Sequence, residues 1–308
     1  MSISAAIQAL EASSLKELLV VPSKDEYGLR NRSYLHQIQR EIMPAAIFLP
    51  RNKEQISQFV RIIKPFALSG AAPFAIRGAG QQPLPGCSNV DGGITVDLHY
   101  LTGITVKRER IEVAAGERWG NVHERLASEG LAVTGSRYAA GGIGGVALTG
   151  GISIFSSREG MICDNVISYE VVLASGEIVN ANEHERPDLW RALRGGGNNF
   201  GIVTRYDFRP FEQGNFWSGH VLYSPLGFPS QIDALVRELR SPCVSDETHI
   251  EISIGHSTAS AKPRRFLCVN NLYFTRVVGR PVLLEPFLQV RHQIKLLNLE
   301  RMQSRKLV

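Results

Sequence analysis

The feature that most limits what this chain can build is glycine crowded into three short stretches. Residues 141–151 read GGIGGVALTGG, residues 77–82 read RGAGQQ, and residues 195–203 read GGGNNFGIV. Glycine loses more conformational freedom on folding than any other residue, so clusters this dense carry an entropic cost that something must offset. Each stretch sits beside an expected strand, and each offers backbone N–H groups outside any regular helix. A diphosphate carries negative charge and several acceptor oxygens, and main-chain amides close around it only where no Cβ intervenes. A hydrogen bond to a charged group contributes roughly 1.5–3 kcal/mol net, so a few of them outweigh the glycine entropy. Tight turns and close strand packing account for any one of these loops alone. Three of them between residues 77 and 203 point to a ligand that they share.

A dinucleotide fingerprint is the competing reading. Gly142, Gly144 and Ala147 satisfy G-x-G-x-x-A, and Asp164 follows where a ribose-binding acid belongs. That fingerprint must open a helix. The next residues, LTGGISIFSSREG, hold three more glycines, and each interior glycine costs a helix about 1 kcal/mol relative to alanine. No such helix is expected, and the Rossmann reading is set aside.

The chain otherwise reads as two strand–helix–strand units followed by a region of different texture. Residues 45–49 form an apolar run ended by Pro50, and Asn52 with Gln55 gives a capping-box-like start to a helix through Ile63. Strands are expected at 73–77 and 94–98, with no regular structure from Gly78 to Gly93. A connection of that length is usually functional. A strand at 110–115 and a helix at 119–126 restart the pattern. Two apolar runs then flank a two-residue hairpin turn at Ser175 and Gly176. Pro187 and Gly195 bracket a short helix, PDLWRALR, before a strand through Phe208. Strands near 217–223, 249–254 and 266–274 then alternate with helices near 229–240 and 282–300, the last a charged C-terminal helix. The boundary is placed near residue 211. A first domain covers 1–211, in subdomains of about 40–100 and 101–211, and a second covers 212–308.

Hydrophobic residues make up 44% and charged residues 20%, as in ordinary globular chains. No apolar run is long enough for a membrane span, and residues 1–20 read as a short amphipathic helix rather than a leader. The cytoplasm is the expected compartment. The net charge of +5 is interspersed, with local clusters only at Arg264 and Arg265 and in the tail, so nucleic acid is not an expected partner. Four cysteines without a CxxC pair and eight histidines without ligand spacing predict free thiols and no metal.

The motifs AIRGAGQ, SNVDGGITVDL, GVALTGGISIFSSREGMICDNVISYEVVLASGEIV and DLWRALRGGGNNFGIVT run in order across roughly residues 40–210. In sequence and spacing they strongly resemble the FAD-linked oxidases of the berberine-bridge-enzyme-like group, within the vanillyl-alcohol-oxidase superfamily of PCMH-type FAD-binding proteins. The resemblance implies an α+β fold: a FAD-binding domain of two α+β subdomains with the flavin between them, then a partial antiparallel-sheet substrate domain. On the matched motifs, Arg77, Gly78, Ala79, Gly80, Gln81 and Gln82 would wrap the diphosphate. Gly142, Gly145, Gly150 and Gly151 would lie along the flavin. Asp164 and Asn165 would shape the pocket, against the alternative of a plain Asx turn. Gly201, Ile202 and Val203 would present backbone to the adenine end.

Three departures qualify the resemblance. The family loop usually ends RGGGH, with the histidine bonded covalently to the flavin; here Gln81 takes its place. A carboxamide nitrogen is a poor nucleophile, so noncovalent FAD is expected. Tyr138 aligns with the cysteine of a second tether, and Cys87 and Cys163 lie elsewhere. Family members also continue well past this length, so the chain reads as C-terminally shortened. The open edge of its partial sheet makes a homodimer a reasonable expectation. His220, Tyr223 and His256 fall on expected strands of that sheet, but a lone strand histidine is ordinarily packed or solvated, and no catalytic residue is assigned. The implied function is a FAD-dependent oxidoreductase acting on a small organic molecule in secondary metabolism, with dioxygen reoxidising the flavin. The alternative is a noncatalytic relative that keeps the fold and at most binds FAD.

Overall fold

In a computed structural model that describes residues 1–242, 244–257, 265–277, 279 and 281–302, the first unit is a four-stranded sheet. Cys243, Arg264 and the basic residues after Met302 lie outside the described residues. An N-terminal helix, α1 (Ile3–Glu11), buries Ala6 and Leu10 and is capped by Ser2. The sheet is built from β1 (Leu19–Val20), β2 (Ala46–Phe48), β3 (Phe74–Arg77) and β4 (Ile94–Asp97), in the order β1-β2-β4-β3. β4 runs parallel to both β2 and β3. Two short helices, α2 (Asp25–Arg32) and α3 (Gln37–Glu41), precede β2. The crossover helix α4 (Lys53–Leu68) starts where the capping residues place it. Asn52 Oδ1 accepts from Gln55 N at 2.9 Å, and Gln55 Oε1 accepts from Arg51 N at 2.7 Å. Its periodic residues Ile56, Phe59, Val60 and Ile63 are buried, and Phe59 stacks on Phe48.

The second unit carries β5 (Ile104–Val106), β6 (Ile111–Ala114), α5 (Trp119–Ala127), β7 (Leu131–Ala132), α6 (Ile143–Leu148), α7 (Ser156–Glu159), β8 (Val166–Val172), β9 (Ile178–Asn182), α8 (Pro187–Leu193), β10 (Ile202–Phe208) and β11 (Phe211–Glu212). Five of its strands form an antiparallel sheet in the order β5-β6-β10-β8-β9, while β7 pairs with β11. Two expectations are overturned in this unit. The glycine stretch does open a helix, the six-residue α6, with Gly142 as its N-cap. Burial of Ile143, Ala147 and Leu148 outweighs the poor local propensity. The hairpin has a three-residue loop rather than a two-residue turn. Gly176 N donates to Leu173 O, Leu173 N donates to Glu177 O, and Gly176 takes the left-handed conformation that closes such a loop.

The last unit is an antiparallel sheet of β12 (Phe216–Tyr223), β13 (Thr248–Ser257), β14 (Arg265–Phe274) and β15 (Gln293–Met302), in the order β13-β14-β12-β15. It also holds α9 (Phe228–Leu239) and the four-residue α10 (Glu285–Leu288). The expected helix over 282–300 is therefore overturned. A tight 3-10 turn and α10 occupy its start, His292 breaks the chain with φ +63°, and β15 pairs along β12. A ladder partner decided between helix and strand where the local pattern was ambiguous. The two faces of this sheet differ. Trp217, Val221, Tyr223, Cys268 and Leu272 pack with Ala234 and Phe287, while Phe216 and Tyr273 on the opposite face join Ala132, Ile154 and Phe155.

Candidate functional site

Where β3 ends, the chain leaves the first sheet at Arg77 and enters the glycine loop. Just past the end of β6 and at the start of β10, the second sheet presents Ala115, Gly201, Ile202 and Val203. Between the two units these segments and α6 enclose a cleft of about 500 Å³, within the size range of ligand sites. Gly78, Ala79, Gly80, Gln81, Gln82, Gly142 and Gly145 line it together with Gly201, Ile202 and Val203. The remaining expected residues lie off its wall. Arg77 is buried beneath the loop. Gly150 and Gly151 accept from the amides of Cys163 and Ile162. Asp164 accepts from Met161 N at 2.9 Å and pairs with Arg194, and Asn165 donates to the carbonyls of Glu159 and Met161. Those bonds tie the turn over 159–165 to itself. Leu98, Ser88 and Ser136 also line the cleft; Ser88 and Leu98 bound the SNVDGGITVDL motif, but the motif alone assigned neither of them a place in the site.

The glycines divide into two kinds. At Gly142 a Cβ would stand 2.4 Å from Ala79 Cβ, so bare backbone is what lets two loops of the cleft touch. At Gly78 and Gly145 a Cβ would meet nothing within 4 Å, and these two positions line the cleft. Packing would tolerate side chains there, so their absence keeps open a space that a ligand can use. The amides of Ala79, Gly80 and Gln81 have no acceptor among the described residues. Ser88 Oγ is buried at the cleft wall without a partner. Uncommitted donors at a concave site fit a phosphate-bearing group.

Arg77 holds the loop from below. Its guanidinium stacks over the Tyr34 ring at 3.8 Å, donates to Arg30 O at 2.8 Å and Ser33 Oγ at 2.7 Å, and lies 3.3 Å from Asp97 Oδ2. Asp97 Oδ1 accepts from His99 N. Burial pushes the Tyr34 hydroxyl well above its ordinary pKa, so it stays a neutral donor to Ser88 O at 2.7 Å.

His123 sits behind the other wall. It stacks on Trp119, and its Nε2 lies 3.0 Å from Ser136 O, which fixes a proton on Nε2. Burial lowers its pKa, and Nδ1 is buried without a partner. The sign follows. The unfolded chain binds the second proton below about pH 6.5 and the folded one resists it, so stability present above that pH is lost as pH falls. Wild-type stability is expected to drop by up to about 1.4 kcal/mol per pH unit more steeply than that of His123→Gln below this pH. Parallel denaturation curves from pH 7 to pH 5 check this, and identical slopes refute it.

Among the described residues no helix is long and apolar enough to cross a membrane, and no group of histidine, cysteine and acidic residues could hold a metal. The FAD binding domain family matches residues 44–182. The FAD-dependent monooxygenase CTB5 of Cercospora beticola is 41% identical over 220 residues, covering 70% of this chain and 42% of that protein. The FAD-dependent monooxygenase tpcD of Cochliobolus heterostrophus is 42% identical over 185 residues, covering 59% of this chain and 35% of that protein. The chain thus spans about two fifths of the curated relatives it matches. Among solved structures, xylooligosaccharide oxidase of Myceliophthora thermophila superposes with TM-score 0.76 at 23% identity over 99% of this chain and 63% of that one. The 6-hydroxy-D-nicotine oxidase of Arthrobacter nicotinovorans gives 0.76 at 20% identity, over 90% and 60%. These two likenesses speak to the fold, which is the α+β PCMH-type fold the motifs implied. Residues 44–182 thus belong to the FAD binding domain family, and motifs, fold and matched relatives agree in likening the chain to berberine-bridge-enzyme-like, PCMH-type FAD-linked oxidases.

Proposed function

We propose that this protein is a FAD-dependent oxidoreductase that acts on a small organic molecule in secondary-metabolite biosynthesis and holds its flavin noncovalently. The observation that carries the reading is the cleft between the two α+β units, where glycine loops converge and Gly78 and Gly145 leave room that packing does not require. The names of the matched relatives, FAD-dependent monooxygenases, support the same class.

In this reading Gly78, Ala79, Gly80, Gln81 and Gln82 hold the diphosphate through main-chain amides, with Ser88 Oγ as a further donor. Arg77 adds positive charge from beneath. Gly142 and Gly145 lie along the ring system, and Gly201, Ile202 and Val203 back the adenine end. Gly150, Gly151, Asp164 and Asn165 act on the cleft only through the turn they shape. When bound, FAD supplies the redox chemistry, taking hydride from a substrate C–H and passing the electrons to dioxygen. The sheet of β12 to β15 covers the substrate side as a separate domain beginning near residue 211. That division is supported by the two main buried clusters, one ending at Phe208 and the other starting at Trp217.

The visible spectrum of the purified protein tests the reading. A flavin spectrum that disappears after denaturation and filtration is the expected result, and colourless protein that takes up no added FAD overturns it. Gln81→His tests the attachment. Because Gln81 lines the cleft, the histidine is expected to convert much of the flavin to a form that survives denaturation, read by in-gel flavin fluorescence. Flavin that still washes off completely would show that position 81 does not face the reactive edge.

A further inference from the structure

Three residues that the sequence scatters between positions 220 and 271 lie side by side on the sheet of β12 to β15. His220 pairs across to Asn271, and Asn271 pairs across to Glu251, in the register of adjacent strands. Their side chains are joined in the same order. His220 Nδ1 lies 2.8 Å from Asn271 Oδ1, and Asn271 Nδ2 donates to Glu251 Oε2 at 3.1 Å. Glu251 Oε1 completes the row at 2.5 Å from Arg137 Nε and 3.1 Å from His249 Nε2. Arg137 stands between Ser136 and Tyr138, both of which line the cleft. The row therefore occupies the face that also carries Phe216 and Tyr273 against the FAD-binding body, opposite the face packed on α9.

Donor and acceptor chemistry fixes the proton positions along this row. Burial by itself would raise the Glu251 carboxyl, but bonds from His249 and Asn271 and the Arg137 charge hold it below the usual carboxylate range. An ionised carboxylate only accepts, so Asn271 must turn its NH₂ to Glu251 and its oxygen to His220. That oxygen in turn requires a proton on His220 Nδ1. In the neutral ring the lone pair is then on Nε2, and Nε2 has no hydrogen-bond partner among the described residues. The other titratable groups facing this row are Tyr273, whose hydroxyl burial pushes up to about 12, His249 and Arg137.

We infer that His220 Nε2 is the proton acceptor for a substrate hydroxyl, phenolic or alcoholic, with Asn271 and Glu251 as positioning residues that set its tautomer. The substrate O–H bond breaks, its electron pair stays on oxygen, and the proton forms a new N–H bond at Nε2, leaving imidazolium. This rests on the reading of the cleft as a flavin site whose substrate lies under the sheet.

The experiment uses the full chain with 15N-labelled histidine and, as probe, 4-nitrophenol. The expected NMR result is the Nδ1–H tautomer at His220, changing to a tautomer mixture in Asn271→Leu. Bound 4-nitrophenol is expected to show phenolate absorption below the pH at which the free phenol ionises, and that fraction should fall at least about tenfold in His220→Gln. An Nε2–H tautomer in the unchanged protein, no phenolate on binding, or phenolate undiminished in His220→Gln would each overturn the inference. The tautomer measurement needs no variant and no flavin. FAD retention in His220→Gln, read from its spectrum, is expected to equal wild type, so failure of the flavin reading and failure of this one are told apart.

Discussion

Asp97→Ala is expected to cost about 3–5 kcal/mol of folding stability, because it leaves the Arg77 guanidinium buried without its counter-charge. Both side chains are almost wholly inaccessible, at 4% and 2% exposure, so water cannot replace the lost partner. The loss should reach the cleft as well. Arg77 fills the space under Gly80, where a Cβ would stand 2.9 Å from Arg77 Nε, so the backbone of the loop rests directly on the guanidinium. A double-mutant cycle with Arg77→Met separates the pair from its surroundings. The double variant should lose clearly less than the sum of the two singles, since removing both charges leaves neither unpaired. Urea denaturation of the four proteins gives the result. A loss below about 1 kcal/mol in Asp97→Ala, the range of solvent-exposed pairs, refutes the assigned role.

Gly142→Val and Gly145→Leu should fail in different ways, and the contrast separates packing from ligand space. The new Cβ at Gly142 meets Ala79 Cβ at 2.4 Å, so the α6 end and the loop after β3 must move apart. Overpacking of this kind costs about 1–3 kcal/mol of stability, and FAD affinity should drop at least about tenfold, or about 1.4 kcal/mol. At Gly145 a side chain enters open space, so stability should stay within about 0.5 kcal/mol of wild type. FAD affinity should nevertheless fall at least about tenfold, because the side chain occupies the cleft. Fluorescence titration with FAD beside thermal or urea unfolding gives both quantities. If Gly145→Leu binds FAD as wild type does, this cleft is not the flavin site.

Elements whose local signals agree are legible in the residues alone. Asn52 and Gln55 mark the start of α4, its four apolar residues mark the buried face, and Pro187 marks the start of α8. The strands β3, β4, β6, β10, β12, β13 and β14 fall where their apolar runs lie. The short pieces are not legible: β1, β7 and β11 are two residues each and exist because a partner strand is present. The C-terminal segment misleads for a related reason. QIKLLNLE is compatible with either period, and only β12 beside it selects the strand. In the site, the loops after β3 and at the start of β10 are readable as glycine patterns, whereas the row from Arg137 to His220 is not.

The sequence by itself determined the likeness to FAD-linked oxidases, the crossover helix α4 and the positions of the glycine-rich loops, because those are properties of contiguous residues. Tertiary structure alone decided that Arg77 lies under the loop instead of in the cleft, that Asp164 and Asn165 serve a turn, and that His220, Asn271, Glu251 and Arg137 form one hydrogen-bonded row. Strand register and domain packing bring residues from positions 137 to 271 within about 3 Å of one another, and no local pattern encodes such a meeting.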